Sequence, residues 1–269
     1  MKKFSVLIAH YNNFDYFTVC YESLVQQTFQ DFEVIFVDDC STDGSFEKIQ
    51  TLLQNDNRVK IFRNEENKGV GFTKRKCVEL ANGEFCGFID PDDAVTKTAL
   101  EDSLKMFDSE KTIAVYSQFH LCDKNLNIKS LFPYSKQIKN GDSLFFNIFL
   151  EANHFFTFRK SAYNKTEGIN AELTSAVDQD LYLKLYEQGD FKFLKKPLYL
   201  YRLHDKGVSQ EKSKKTKLNQ NWHRVIADAL QRRKTTKLYD ENVSDVENLP
   251  EYIYKKQNTF FAKVLRKFS

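Results

Sequence analysis

Three short apolar runs within residues 4–93 constrain this chain most: Phe4–Ala9 (FSVLIA), Glu33–Val37 (EVIFV) and Phe85–Ile89 (FCGFI), with Arg58–Phe62 a further strand candidate between the last two. Near-continuous runs of this kind suit parallel strands buried on both faces. Helical spacing fills the gaps. Phe17, Tyr21, Leu24 and Val25 share one face of a segment from Phe14 to Gln27. Ser41-Thr42-Asp43 offers N-cap side chains for a helix through Ile49, Leu52 and Leu53. Gly71–Ala81 reads as a third helix, with Asn82-Gly83 as its C-cap. Strands alternating with helices predict an α/β fold, a Rossmann-like, mainly parallel sheet flanked by helices. Such sheets gather ligands outside the carboxyl ends of their strands. Three of these ends carry polar clusters, Tyr11-Asn12, Asp38-Asp39 and Asp90–Asp93, and the topology brings them to one edge.

The second half is less regular. Strands are expected at Thr112–Ser117 and Phe155–Phe158, a short helix at Leu144–Leu150 and a helix at Asp178–Glu187. Two short strands, Phe191–Leu194 and Leu198–Arg202, are expected around Pro197. A basic helical stretch follows Gly207 to about Lys234, and Glu251–Ser269 mixes aromatic, aliphatic and basic residues. Charge is uneven: from Lys206 to Ser269, fifteen Lys/Arg against seven Asp/Glu leave +8, whereas the first 205 residues hold 25 against 30, a net of −5. The expected organisation is a body at 1–208, whose two halves meet at about residue 93, and a basic, mostly helical C-terminal appendage at 209–269.

Several classes fall away. Hydrophobic content of 41% is too high for a disordered chain, and a net charge of +3 excludes a strongly basic nucleic-acid binder. The five Cys form no C-x-x-C pair and read as reduced thiols and small apolar fillers. No run approaches the roughly 18 apolar residues of a membrane span, and the apolar run after Lys2-Lys3 is too short for a signal peptide. Asn67-Lys68-Gly69-Val70-Gly71 contains a G-x-G, but Lys74 stands where a dinucleotide fingerprint needs its third Gly, and no P-loop occurs.

The candidate residues are mostly carboxylates. Asp90 and Asp92 close an apolar strand; they fit an exposed, capping turn, or the ligands of a divalent metal that holds a diphosphate. Asp38 and Asp39 fit a helix cap or acceptors for a nucleobase or ribose. Asp178 and Asp180 fit favourable charges at a helix N-terminus or a general base. His204 fits a surface or packing residue as well as a site residue. His10 and His154 have no evident sequence partners and read as packing residues.

In order, these pieces resemble a known family. Ser5–Asn12 (SVLIAHYN) looks like its opening strand and Y-N turn. Ser23–Asp39 (SLVQQTFQDFEVIFVDD) looks like its S-L-x-x-Q-T-x-x-x-F-E-x-I-x-V-D-D block, and Asn67-x-Gly69, Ala81–Glu84 and Phe88–Asp93 (FIDPDD) continue the match. The chain resembles the inverting family 2 glycosyltransferases of GT-A fold, densely over residues 4–93, more sparsely through His204, and not beyond about Ser209. The resemblance implies that Tyr11 and Asp39 contact the donor base with Asp38 beside them. It implies further that Asp90 holds the ribose, that Asp92 ligates Mn²⁺ or Mg²⁺ under the diphosphate, and that Asp178 is the catalytic base. Tyr201-Arg202-x-His204 is similar to the family's Y-R-x-H, near diphosphate or metal. The chain departs from the pattern in Ala9 for Pro, in Lys74 for the Arg of A-R-N, and in Val177 for the Glu of E-D; this last leaves Asp180 as an alternative base.

The expected activity is transfer of a sugar from a nucleotide-sugar donor, with UDP the expected carrier, to a hydroxyl of a glycan or lipid-linked acceptor in cell-surface polysaccharide synthesis. The alternatives are a sugar-phosphate nucleotidyltransferase, disfavoured because His10–Asn13 replaces its Gly-rich phosphate loop, and a non-catalytic nucleotide-sugar-binding module. The expected location is cytoplasmic. Phe260, Phe261, Val264, Leu265 and Phe268 beside Lys263, Arg266 and Lys267 fit a peripheral helix on an anionic membrane face.

Overall fold

In the computed structural model, the structure describes residues 3–204 and 215–259. The first half follows the expected alternation: β1 (Phe4–His10), α1 (Phe14–Val25), β2 (Phe32–Asp38), α2 (Ser45–Leu53), β3 (Val59–Arg63), α3 (Val70–Leu80) and β4 (Phe85–Phe88). There follow β5 (Ala94–Val95), α4 (Ala99–Lys105), β6 (Thr112–Cys122), β7 (Ile128–Leu131), β8 (Thr157–Arg159), α5 (Lys160–Tyr163), α6 (Val177–Tyr186) and β9 (Asp190–Arg202). The C-terminal elements are α7 (Lys215–Arg232), a small hairpin β10 (Lys237–Leu238) and β11 (Glu241–Asn242), and α8 (Leu249–Gln257).

The main sheet runs β3-β2-β1-β4-β8-β6-β9-β5, with β7 beside β6. β1 pairs in parallel with β2 and β4, and β2 with β3. β8 pairs antiparallel with β4 and β6, and the long β6–β9 ladder is parallel again. One face packs against α1, α2 and α4 through Phe17, Leu24, Ile49 and Leu100. The other packs against α3, α6, α7 and α8 through Val78, Leu181, Ile226 and Ile253.

Four expectations change. Leu144–Leu150 is not a helix: Asn147 and Leu150 adopt φ of 51° and 54°, and the Asn147 amide instead pairs with both backbone groups of Ala152. An Asn side chain offers the backbone that alternative to helical pairing. The strands around Pro197 are one strand, β9, because Pro197 sits at an irregularity in the β6 register, where a missing N–H is tolerated. The strand expected from Phe155 begins at Thr157. Finally, Asn82-Gly83 does not cap α3, which ends at Ala81 in extended conformation. Gly83 is needed because a Cβ there would lie 2.6 Å from Ser5 N.

The C-terminal helices share the core of the body. Val225, Ile226 and Leu230 of α7 are buried in one cluster with Leu181 and Leu185 of α6. At about 1.5–3 kcal/mol for each such side chain, this burial matters on the scale of a domain's net stability. Glu187 adds ion pairs to Arg232 at 2.7 Å and Arg233 at 3.0 Å. The Phe260–Phe268 segment lies outside the described residues. Among those described, no helix is long and apolar enough to cross a membrane.

Candidate active site

Parallel register places the ends of β1 and β2 side by side, with His10 opposite Asp38. Asp38 is fully buried. Its carboxylate accepts from His10 Nδ1 at 2.9 Å and from Ser41 N at 2.8 Å, as well as from the Ser41 hydroxyl. Burial would raise its pKa, but these donors hold it below the ordinary carboxylate value. Asp38 is therefore buried at the strand ends with both oxygens engaged. His10 likewise gains a partner that the sequence did not reveal.

Asp39, one residue on, points the other way, as alternation along a strand requires. It accepts from Asn64 Nδ2 at 2.8 Å, Lys68 N at 2.9 Å and Gly69 N at 2.8 Å, and so ties the Asn67–Gly69 loop to the strand end. Tyr11 stands 46% exposed on the rim.

The end of β4 carries the second cluster. Asp90 lies 3.1 Å from Lys74 Nζ, and the same ammonium lies 2.9 Å from Asp178. Burial would lower the Lys74 pKa, but the two carboxylates outweigh it and raise it; Lys74 in turn holds Asp90 below its usual range. These three groups line one cavity with Phe88, His154, Phe156 and Tyr182. By sequence alone His154 reads as a packing residue, and the aromatic residues carry no site role. His154 stacks on Tyr199 at 4.7 Å, and only the tertiary fold brings it to the cavity.

Asp92 accepts from His204 Nε2 at 2.8 Å. Asp93 is buried and takes hydrogen bonds from the Tyr199 hydroxyl at 2.8 Å and Arg202 N at 2.7 Å; burial, with Asp92 and Asp90 nearby, raises its pKa. Arg202 Nε donates to the Asp92 carbonyl, and its guanidinium lies 4.5 Å over the Tyr16 ring. The end of β9 is thereby fastened to the Asp90–Asp93 turn.

Among the described residues, no group of three metal-ligating side chains converges. Asp92 and His204 nonetheless fit a divalent cation that also binds a diphosphate. An oxygen and a nitrogen at adjacent positions of an octahedron with ~2.1 Å bonds stand about 3 Å apart, close to the 2.8 Å seen. Buried His204 Nδ1 has no protein partner among the described residues.

Asp178 and Asp180 separate cleanly. Ala176, in left-handed conformation, starts α6. The Asp178 side chain is 38% exposed at the cavity, whereas that of Asp180 is 1% exposed and pairs with Lys184 at 2.9 Å. Asp180 also accepts from Asn170 N at 2.8 Å. Asp180 is thus not an alternative base but an internal brace, a role that its i,i+4 spacing to Lys184 signals. Asp180→Asn is expected to cost about 1.5–3 kcal/mol of stability, with turnover well below the melting range near wild type. Chemical denaturation and a transfer assay check this; a loss of turnover with unchanged stability would reverse the assignment.

α3, which carries Lys74, is docked on the loop before α6. Gly71 N donates to Leu173 O at 3.0 Å, and a Cβ on Gly71 would lie 2.5 Å from that oxygen and 2.7 Å from Asn170 O. Gly71→Ala is expected to destabilise by about 1–3 kcal/mol, read by urea unfolding; an unshifted midpoint would contradict so close a backbone approach.

A family model described as Glycosyl transferase family 2 matches residues 5–166. Chondroitin synthase of Escherichia coli is 32% identical over 253 residues, which cover 94% of this chain but 36% of that protein, so the chain spans about a third of that relative. S. aureus TarS 1–349 in complex with UDP-GlcNAc superposes with a TM-score of 0.69 at 24% identity, over 85% of this chain and 66% of that one. The mannosyltransferase PcManGT from Pyrobaculum calidifontis, in complex with GDP-Man and Mn2+, gives 0.65 at 14% identity, over 95% and 67%. Both share the fold described above.

Proposed function

The chain belongs to glycosyl transferase family 2, and from that premise we propose that it moves a sugar from a nucleotide-sugar donor, a UDP-sugar, to a hydroxyl of a glycan or lipid-linked acceptor in cell-surface polysaccharide synthesis. One observation carries the mechanism: Lys74 joins Asp178, the open carboxylate at the cavity, to Asp90 at the end of the nucleotide-binding strands. Asp178 takes the proton of the acceptor hydroxyl. The oxygen attacks the anomeric carbon from the side opposite the leaving group, the bond from that carbon to the diphosphate breaks, and the anomeric centre inverts. Tyr11 and Asp39 face the base, Asp90 the ribose, and Lys74 balances charge on the departing diphosphate. Asp92 and His204 would hold Mn²⁺ or Mg²⁺, which supplies electrostatic stabilisation of that diphosphate.

Relatives support the substrate class: one is a chondroitin synthase, and a structural neighbour is bound to UDP-GlcNAc. The nucleotidyltransferase reading falls with the family match. A catalytically silent module is disfavoured by the accessibility of Asp178 beside the cavity. The proposed division keeps 1–93 for the nucleotide, 94–208 for the acceptor and 209–269 as a basic extension. The +8 charge of the C-terminal segment supports contact with an anionic membrane at the cytoplasmic face.

The test is a panel of nucleotide sugars with and without Mn²⁺, read by thermal shift and by nucleoside diphosphate release in the presence of glycan acceptors. Proton NMR of the product reads the anomeric configuration. Retention, or no metal-dependent binding of any nucleotide sugar, would sink the proposal.

A further inference from the structure

His10 is buried, and each of its ring nitrogens has a different kind of partner. Nε2 lies 3.2 Å from the backbone N of Asn13. A backbone N–H can only donate, so Nε2 must be bare. In a neutral ring the proton is then on Nδ1, where the Asp38 carboxylate stands at 2.9 Å. The acceptor on one side fixes the tautomer that serves the donor on the other, an arrangement in which the partner of one ring nitrogen sets the task of the second.

Between these contacts runs the Tyr11–Asn13 turn. Asn12 sits at φ 50°, in the left-handed region. Its N–H donates to the Ser41 hydroxyl at 2.9 Å, and its side-chain oxygen accepts from Thr42 N at 2.9 Å. The Ser41 hydroxyl in turn donates to Asp38. Asp38 thus anchors the turn at two successive residues, through Ser41 at Asn12 and through His10 at Asn13. Tyr11, directly before these two residues and directly after His10, has its side chain exposed on the rim.

We propose that His10 is a positioning residue for the nucleotide: Asp38 fixes its Nδ1–H tautomer, bare Nε2 holds Asn13 N–H, and the turn presents Tyr11 in the geometry that receives the base. This rests on the reading of Tyr11 as the base contact, but the His10 relay itself does not.

Two substitutions separate the ring's tasks. The amide nitrogen of Asn reaches about as far as Nδ1, so His10→Asn keeps a donor for Asp38 and loses the acceptor for Asn13. His10→Gln reaches the Nε2 position, keeps an acceptor for Asn13 and gives up the Asp38 contact. Nitrogen NMR of the labelled protein is expected to show His10 protonated at Nδ1 and bare at Nε2; the opposite tautomer overturns the proposal whatever the enzyme binds. Amide exchange at Asn13 should speed up in His10→Asn and stay slow in His10→Gln. With UDP as probe, calorimetry should give His10→Asn a Kd weaker by about 3–10-fold, the worth of roughly one hydrogen bond. His10→Gln should stay within about 2-fold, and kcat at saturating donor should hold within about 2-fold for both. Equal losses in the two variants that track their melting temperatures overturn the proposal, because His10 is then only core packing. If wild type binds neither UDP nor GDP, the base reading fails, while the tautomer and Asn13 exchange still decide the relay.

Discussion

Asp178→Asn is expected to lower sugar transfer by about 10²–10⁴-fold, the usual contribution of a positioned general base, while nucleotide-sugar affinity should stay within a few-fold of wild type. The substitution keeps size and polarity but removes the acceptor of the proton. The replacement leaves buried Lys74 with one carboxylate partner instead of two. Lys74 retains Asp90 at 3.1 Å and stays in place. Single-turnover rates with saturating donor, beside calorimetric donor affinity, separate chemistry from binding. A transfer rate near wild type would remove Asp178 from the role of base. An equal collapse of donor affinity would recast it as a donor-binding group.

Asp92→Asn is the second large effect. The amide keeps its volume and can still meet His204, but it loses the charge that attracts a divalent cation. Transfer is expected to fall by about 10²–10³-fold, the order lost when one electrostatic contact to developing charge is removed. The more telling readout is the metal titration: the Mn²⁺ concentration for half-maximal activity should rise by an order of magnitude or more, and chelator should no longer change nucleotide-sugar affinity. An unchanged Mn²⁺ requirement would place the cation elsewhere. Asp93 is a useful control, since it is buried between Tyr199 and Arg202 and shapes the turn from behind.

β1 and β2 were readable because each is buried on both faces and therefore almost wholly apolar, a local property that needs no knowledge of neighbours, whereas β3 is an edge strand with Lys60 and Arg63 exposed. The convergence of Tyr11, Asp39, Asp90 and Asp92 on one edge followed from parallel topology alone. What resisted reading was decided by partners distant in sequence. Asp38 and Asp39 are chemically identical neighbours, and only the pairing of β1 with β2 turns one toward His10 and the other toward the Asn67–Gly69 loop. β9 looked like two strands because Pro197 marks a break in the local pattern, whereas the ladder with β6 spans it. His154 carries no motif at all and reaches the cavity by tertiary packing. Asp180 is the exception, a residue whose buried pairing was legible in its spacing to Lys184 and was outweighed by its nearness to Asp178.

The core shared by α6 and α7 also limits how this enzyme can be recombined with others. A chimaera cut after His204 would strip Val225, Ile226 and Leu230 from the apolar side of the helix that carries Asp178, and would leave Glu187 without Arg232 and Arg233. Grafting a different acceptor half therefore means carrying the chain through α8 as one cassette.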